Sequence, residues 1–209
     1  MLISANHLSN RILGHLINLM QMIDMDKVKL NDIAEITSGL SYRRYLDENA
    51  QEYDVILQRS IKKDGELSDF SRLRLRNVKD HYFSKKGDVL MKMPYPYDVV
   101  CVNMDNLVIS DRIAIIRLKE GYDPNFIAHL LTNAHVKKQL HKLGSTEKIP
   151  HTSLSEIKEL ELNVPDFETQ VKYGELLDTI NEKIFEDLKL VDYDRNLKEG
   201  LLNKLWGDD

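Results

Sequence analysis

The 209-residue chain holds one cysteine, five prolines and nine glycines. A single cysteine permits no internal disulfide, so packing alone must hold the fold, as suits a reducing cytoplasm. Cys101 lies in the run Val99-Val100-Cys101-Val102 and reads as a strand core residue rather than a nucleophile. Long apolar runs are also missing. His7 to Ile23 is rich in leucine and methionine but is interrupted by Asn10, Arg11, Gly14, His15, Asn18 and Gln21. It lacks a basic leader and a small-residue cleavage site, and is too short and polar for a membrane span. Leu8, Ile12, Leu16, Leu19, Met20 and Ile23 share one helical face, so an amphipathic helix is expected over residues 1–26.

Catalytic text is absent too. There is no phosphate-binding glycine loop and no Ser/His/Asp or Cys/His motif. His129, His135 and His141 recur every six residues and would point in different directions on a helix. A helical zinc pair needs a spacing near four. The chain has no glycine-rich cofactor loop of the kind a DNA methyltransferase carries. That enzyme's Asn- or Asp-Pro-Pro-aromatic tetrapeptide is not matched by Met93-Pro94-Tyr95-Pro96-Tyr97, which lacks the amide and the adjacent prolines.

Positive charge is scarce overall, with a net of −5, but it is unevenly spread. Residues 161–209 carry 6 basic and 13 acidic groups, whereas residues 58–92 carry 10 basic and 5 acidic. The body of the chain is therefore mildly basic and its end strongly acidic, a division that permits nucleic-acid binding by the body without demanding it.

That acidic end is the most regular stretch. From Asp166 to Trp206 there is no proline, and apolar side chains recur at Tyr173, Leu177, Ile180, Ile184, Leu188 and Val191, then Leu197, Leu201 and Leu205. Steps of three and four place them on one stripe of a helix, as in a coiled-coil seam. The step from Val191 to Leu197 breaks the heptad, so the supercoil should shift there. About forty residues at 1.5 Å each give a rod of roughly 60 Å, which needs a second long helix to pack on.

The preceding body reads as mixed. Short strands are expected at Tyr53 to Leu57, Arg72 to Arg76, Val89 to Met93, Val99 to Val102, Ile113 to Leu118 and Leu160 to Val164. Asp123-Pro124 starts a helix that runs to Leu143 and stops at Gly144, and Ser153 with Glu156 marks a capping box. The alternation Arg72-Leu73-Arg74-Leu75-Arg76 puts three arginines on one strand face. Arg43 and Arg44 sit beside Tyr42 and Tyr45. Arginine forks can read guanine edges or clamp phosphates, although the same spacing suits charges that merely solvate a strand and a loop.

The order of these motifs resembles a known family. Leu30 to Ile36 followed by Ser38-Gly39 is similar to the opening of a target recognition domain in type I restriction–modification specificity subunits. Lys86-Gly87-Asp88-Val89-Leu90, Ile109-Ser110-Asp111-Arg112, the Asp123-Pro124 helix, and Gly144-Ser145-Thr146 with Ile149-Pro150 and Ser153-Leu154 continue the match. Most specific is Leu162-Asn163-Val164-Pro165-Asp166-Phe167-Glu168-Thr169-Gln170, which resembles the junction launching the family's spacer helix. Asp166 and Thr169 depart from its second proline and its glutamate but leave the helix start intact.

The resemblance implies an α+β protein. A target recognition domain over residues 27–165 follows the N-terminal amphipathic helix and precedes a spacer, or coiled-coil, helix over residues 166–209. It implies a cytoplasmic, non-catalytic reader of double-stranded DNA with no cofactor of its own. S-adenosylmethionine, ATP and magnesium would belong to partner modification (DNA methyltransferase) and restriction subunits. With one recognition domain and one spacer helix the chain looks like a half-subunit, and two copies would pair through the C-terminal helix and read inverted half-sites. The expected DNA contacts are Ser41, Tyr42, Arg43 and Arg44, then Arg72, Arg74 and Arg76, then Tyr95 and Tyr97, and finally Ser145, Thr146 and Lys148. The alternatives are a coiled-coil scaffold or silent fragment that binds only protein, and a degenerate methyltransferase or nuclease fragment.

Overall fold

The computed structural model describes residues 23–63, 65–143 and 151–207. Most of the expected N-terminal helix, and Ser145, Thr146 and Lys148, lie outside the described residues. Where that helix was to end, Asp26–Lys29 instead forms strand β1, which pairs antiparallel with β9, Glu161–Val164. One helical turn, α1 (Leu30–Ile33), then buries Leu30 and Ile33 and feeds β2, Ala34–Ser38.

The centre of the body is a four-stranded antiparallel sheet in the order β2, β8, β5, β6, with β5 at Val89–Lys92, β6 at Val99–Cys101 and β8 at Ile113–Leu118. Its inner strands read as unbroken apolar runs because both faces are covered. Val89, Met91, Ala114 and Ile116 face a helical layer carrying Phe126, Ile127, Leu131, Leu140 and Ile157. Their neighbours Leu90, Ile113 and Ile115 face the opposite way, onto Ile56, Ile61 and Ile109. A second sheet, β4-β3-β7, comprises Ser71–Arg74, Glu52–Ile56 and Val108–Ile109, and buries a small core of Leu40, Val55, Leu75 and Val108.

The helix expected from Pro124 to Leu143 is two helices, α2 (Pro124–Thr132) and α3 (Ala134–Leu143). Asn133 leaves the helical region (φ −64°, ψ 145°), and its side chain accepts from the N–H of His135 at 2.8 Å. An asparagine offers the backbone a local hydrogen bond in place of the helical one, so here it ends one helix and caps the next. The capping box is present at α4, Leu154–Lys158: Ser153 Oγ accepts from Glu156 N, and Glu156 Oε2 accepts from Ser153 N.

The rod is helix α5, Phe167–Trp206, 40 residues long. Asp166 caps its start by accepting from Thr169 N, and Gly207 closes it in the left-handed region at φ 92°. The Asp166 side chain accepts from both the backbone and the hydroxyl of Thr169, which lowers its pKa from the usual carboxylate value. Among the described residues no helix is long and apolar enough to cross a membrane.

Candidate nucleic-acid interface

Antiparallel pairing brings several loops to one rim of the central sheet. Ser38 at the end of β2 pairs with Ala114 near the start of β8, Lys92 at the end of β5 pairs with Ile113, and Met91 pairs with Val99. The connections after β2, between β5 and β6, and before β8 therefore leave from the same edge. His151 joins them: Pro94 bridges it, and Thr152 N donates to the Met93 carbonyl at 2.9 Å.

The first loop is seated there by a glycine. A Cβ on Gly39 would lie 2.2 Å from the Ser110 carbonyl oxygen and 2.5 Å from that of Ile109, so only glycine permits this approach. Leu40 N then donates to the Ile109 carbonyl at 2.7 Å, and Asp111 N to the Leu40 carbonyl at 2.8 Å. Ser41 Oγ reaches Asp111 Oδ2 at 3.4 Å. Tyr42–Arg44 forms a tight 3-10 turn in which Tyr42 packs on the small core while Arg43 and Arg44 stay exposed. The Arg43 guanidinium lies 6.0 Å from the Tyr42 ring centre.

The Arg72, Arg74 and Arg76 face is as the alternation reads: all three are exposed and Leu75 is buried. The structure also ties this face to the first loop. Leu46 bridges Leu75, Arg76 N donates to the Tyr45 carbonyl at 2.9 Å, and Arg74 Nη1 donates to the Glu48 carbonyl at 2.8 Å. Arg72 Nε lies 3.4 Å from Asp54. Two arginine groups some thirty positions apart in sequence thus form one neighbourhood.

The tyrosine pair divides. Tyr95 is 53% exposed, on a turn whose Tyr95-Pro96 bond is cis. Tyr97 is 1% exposed, so the expectation that it contacts a base is corrected. Its backbone turns at φ 60°, its ring packs edge-on against Tyr95 and His141, and burial raises the pKa of its hydroxyl. It is a core residue of the turn.

Sequence reasoning missed the joint between body and rod. Gln170, Gly174 and Asp178 recur at steps of four along α5 and meet α2. Gln170 is 2% exposed and Gly174 is also buried, and His129 Nε2 lies 2.8 Å from Asp178 Oδ1. A Cβ on Gly174 would come within 2.7 Å of Asp123 Oδ1 and 3.3 Å of Phe126 N. The legible signal was a glycine and a glutamine one turn apart at the start of a long helix.

Of the stripe read as a dimer seam, Tyr173 packs on the body and Leu177 is half-buried. Ile180, Ile184, Leu188, Val191, Leu197, Leu201 and Leu205 are exposed, rising to 83% at Leu205. Leu190, Tyr193 and Trp206, which the stripe omitted, are exposed as well.

A cleft of about 510 Å³ lies between β6, α2 and α5, lined by Cys101, His129, Asp178 and Glu182 among others, and includes none of the residues expected to touch DNA. Burial pushes the Cys101 thiol up to about 12, which favours its protonated form at neutral pH. Among the described residues no cluster of three or more histidine, cysteine, aspartate or glutamate side chains could hold a metal.

The family model for the type I restriction modification DNA specificity domain matches residues 22–190. The fold is similar to that of the HsdS subunit from Thermoanaerobacter tengcongensis, with a TM-score of 0.66 at 16% identity over 86% of this chain and 48% of that one. It is also similar to a chain solved in a study of complex assembly and conformational transition of the type I R-M system. There the TM-score is 0.65 at 16% identity over 98% of this chain and 54% of the other. The specificity subunit from M. genitalium gives 0.56 at 15% identity, covering 90% and 47%. The chain thus spans about half the length of these solved relatives. No curated protein sequence matches it significantly.

Proposed function

The chain belongs to the type I restriction modification DNA specificity domain family, and from that membership we propose that it reads one half of a split DNA target. The observation that carries this reading is the convergence of exposed arginines on a single neighbourhood built from separate segments. Arg43 and Arg44 on the first loop, and Arg72, Arg74 and Arg76 on and just beyond β4, are held together by backbone hydrogen bonds. Guanidinium groups so placed suit guanine edges and phosphates. Tyr95 adds an exposed ring, and Ser145, Thr146 and Lys148 complete the proposed contacts.

The chain supplies recognition and no chemistry; modification subunits carry S-adenosylmethionine and methylation, and a restriction subunit carries ATP and magnesium. Its exposed apolar rod pairs with the rod of a second copy through Ile180, Ile184, Leu188, Val191, Leu197, Leu201 and Leu205. An isologous pair of that kind presents two identical bodies and reads inverted half-sites. The weak basicity of the body implies poor DNA binding without the modification subunit. Methylome sequencing of a host with and without the chain tests the reading. An inverted, split motif methylated only when the chain is present is the expected result, and an unchanged methylome overturns it.

A further inference from the structure

Among the described residues, Arg112 is one of five non-glycine residues with positive φ, at 61°. Glycine or asparagine occupies this conformation most readily, because a Cβ crowds the backbone there. An arginine held in it needs a reason. Its side chain shows none among the described residues: it is exposed, and its guanidinium has no hydrogen bond, ion pair or ring partner there.

The backbone around it is unusually well fastened. Ser110 N donates to the Ile56 carbonyl at 3.0 Å, Asp111 N to the Leu40 carbonyl at 2.8 Å, and Met93 N to the carbonyl of Arg112 itself at 2.9 Å. Ile113 next to it is fully buried. The three-residue connection is therefore locked to the first loop on one side and to the Tyr95 turn on the other. It stands between two segments proposed above to touch DNA, on the rim where both emerge. A phosphate contact needs only a long, mobile side chain, whereas reading a base edge needs a fixed origin for the fork.

We propose that Arg112 is a specificity-determining DNA contact whose guanidinium reads a guanine edge from the middle of this rim. The proposal rests on the DNA-reading function given above and adds a residue to it. The left-handed backbone is maintained because it aims the side chain outward from a position that the body holds rigid.

The test uses the full chain with its modification subunit, selection from a randomised 40-base-pair duplex library, and sequencing of what is retained. Arg112→Gly suits the backbone better than arginine does, so it should melt at the same temperature as the parent or higher. It should nonetheless bind the enriched duplex about ten- to a hundredfold more weakly and lose preference at one base pair of each half-site. Arg112→Lys should lose the same preference, because an ammonium cannot make the bidentate contact. A lower melting temperature for Arg112→Gly would overturn the proposal, since the residue would then support the fold. Weaker binding with an unchanged motif would also overturn it, leaving a phosphate contact. If both Arg112 variants behave as the parent while Arg43→Ala with Arg44→Ala loses binding, the proposal fails and the DNA-reading function stands. If the unaltered chain enriches no sequence, that function falls and the proposal with it.

Discussion

Gln170 Oε1 accepts the backbone N–H of Asp123 at 3.0 Å, while Gln170 Nε2 donates to the Pro165 carbonyl at 2.9 Å. One buried amide thus joins the start of α2, the start of the rod and the strand exit before it. Removing the amide takes the partner from the Asp123 N–H, which is part-buried, and from the Pro165 carbonyl, whose bond is buried. Gln170→Ala should therefore lower stability by about 1–3 kcal/mol, read as a fall in the thermal unfolding midpoint of several degrees. An unchanged midpoint would show that the joint is held by apolar contact alone.

The two glycines inside the rod make opposite predictions. Gly200 has nothing within 4 Å of an added Cβ, so Gly200→Ala should only improve helix propensity, a gain of roughly 0.5–1 kcal/mol. Gly174→Ala would drive its methyl into Asp123, the cap of α2, and against Phe126 N. It should lower stability by about 1–3 kcal/mol, as overpacking does. Urea unfolding of the two variants side by side decides the matter, and equal effects would contradict the geometry.

The first turn of the rod should depend on pH. The folded Asp166 carboxyl has a pKa below its ordinary 3.8. A depressed acid contributes stability that is complete above the ordinary value and is lost as pH falls through the folded value. Protection of the Thr169 amide against hydrogen exchange should accordingly decline below about pH 4. Asp166→Asn keeps the cap without titrating, so it should flatten that decline. A decline of the same size in the Asn variant would remove Asp166 as its cause.

If the rod sets the separation of two recognition bodies, adding a heptad between Val191 and Leu197 should lengthen the gap in the target and leave its letters alone. Seven residues add about 10 Å, close to three base pairs. Methylome sequencing of the variant reads this directly, and altered letters with an unchanged gap would refute the arrangement.

Elements whose local chemistry agrees with their packing were legible in the sequence. Asp123-Pro124, the Ser153–Glu156 box and the Arg72 to Arg76 alternation each name their own structure. The break at Asn133 was hidden because the apolar periodicity carries on from Phe126 to Leu140 across it, and a single side-chain hydrogen bond decides it. Tyr97 misled for a different reason. A proline-flanked tyrosine has the same spelling whether its ring faces solvent or core, and only the φ of 60° together with His141 turns it inward. The rod was clear as a helix, but its apolar stripe drew attention from the polar Gln170 and small Gly174 that fasten it.

The close approach at Gly39 has a practical consequence. Because its Cα side lies against the Ser110 and Ile109 carbonyls, the first loop and the Ser110-Asp111-Arg112 connection behave as one graft. A chimera that transplants residues 40–45 from a relative while keeping this chain's residues 109–112 would join two surfaces shaped for different neighbours. Exchanging both segments together, with Gly39 retained, keeps this contact between matched partners.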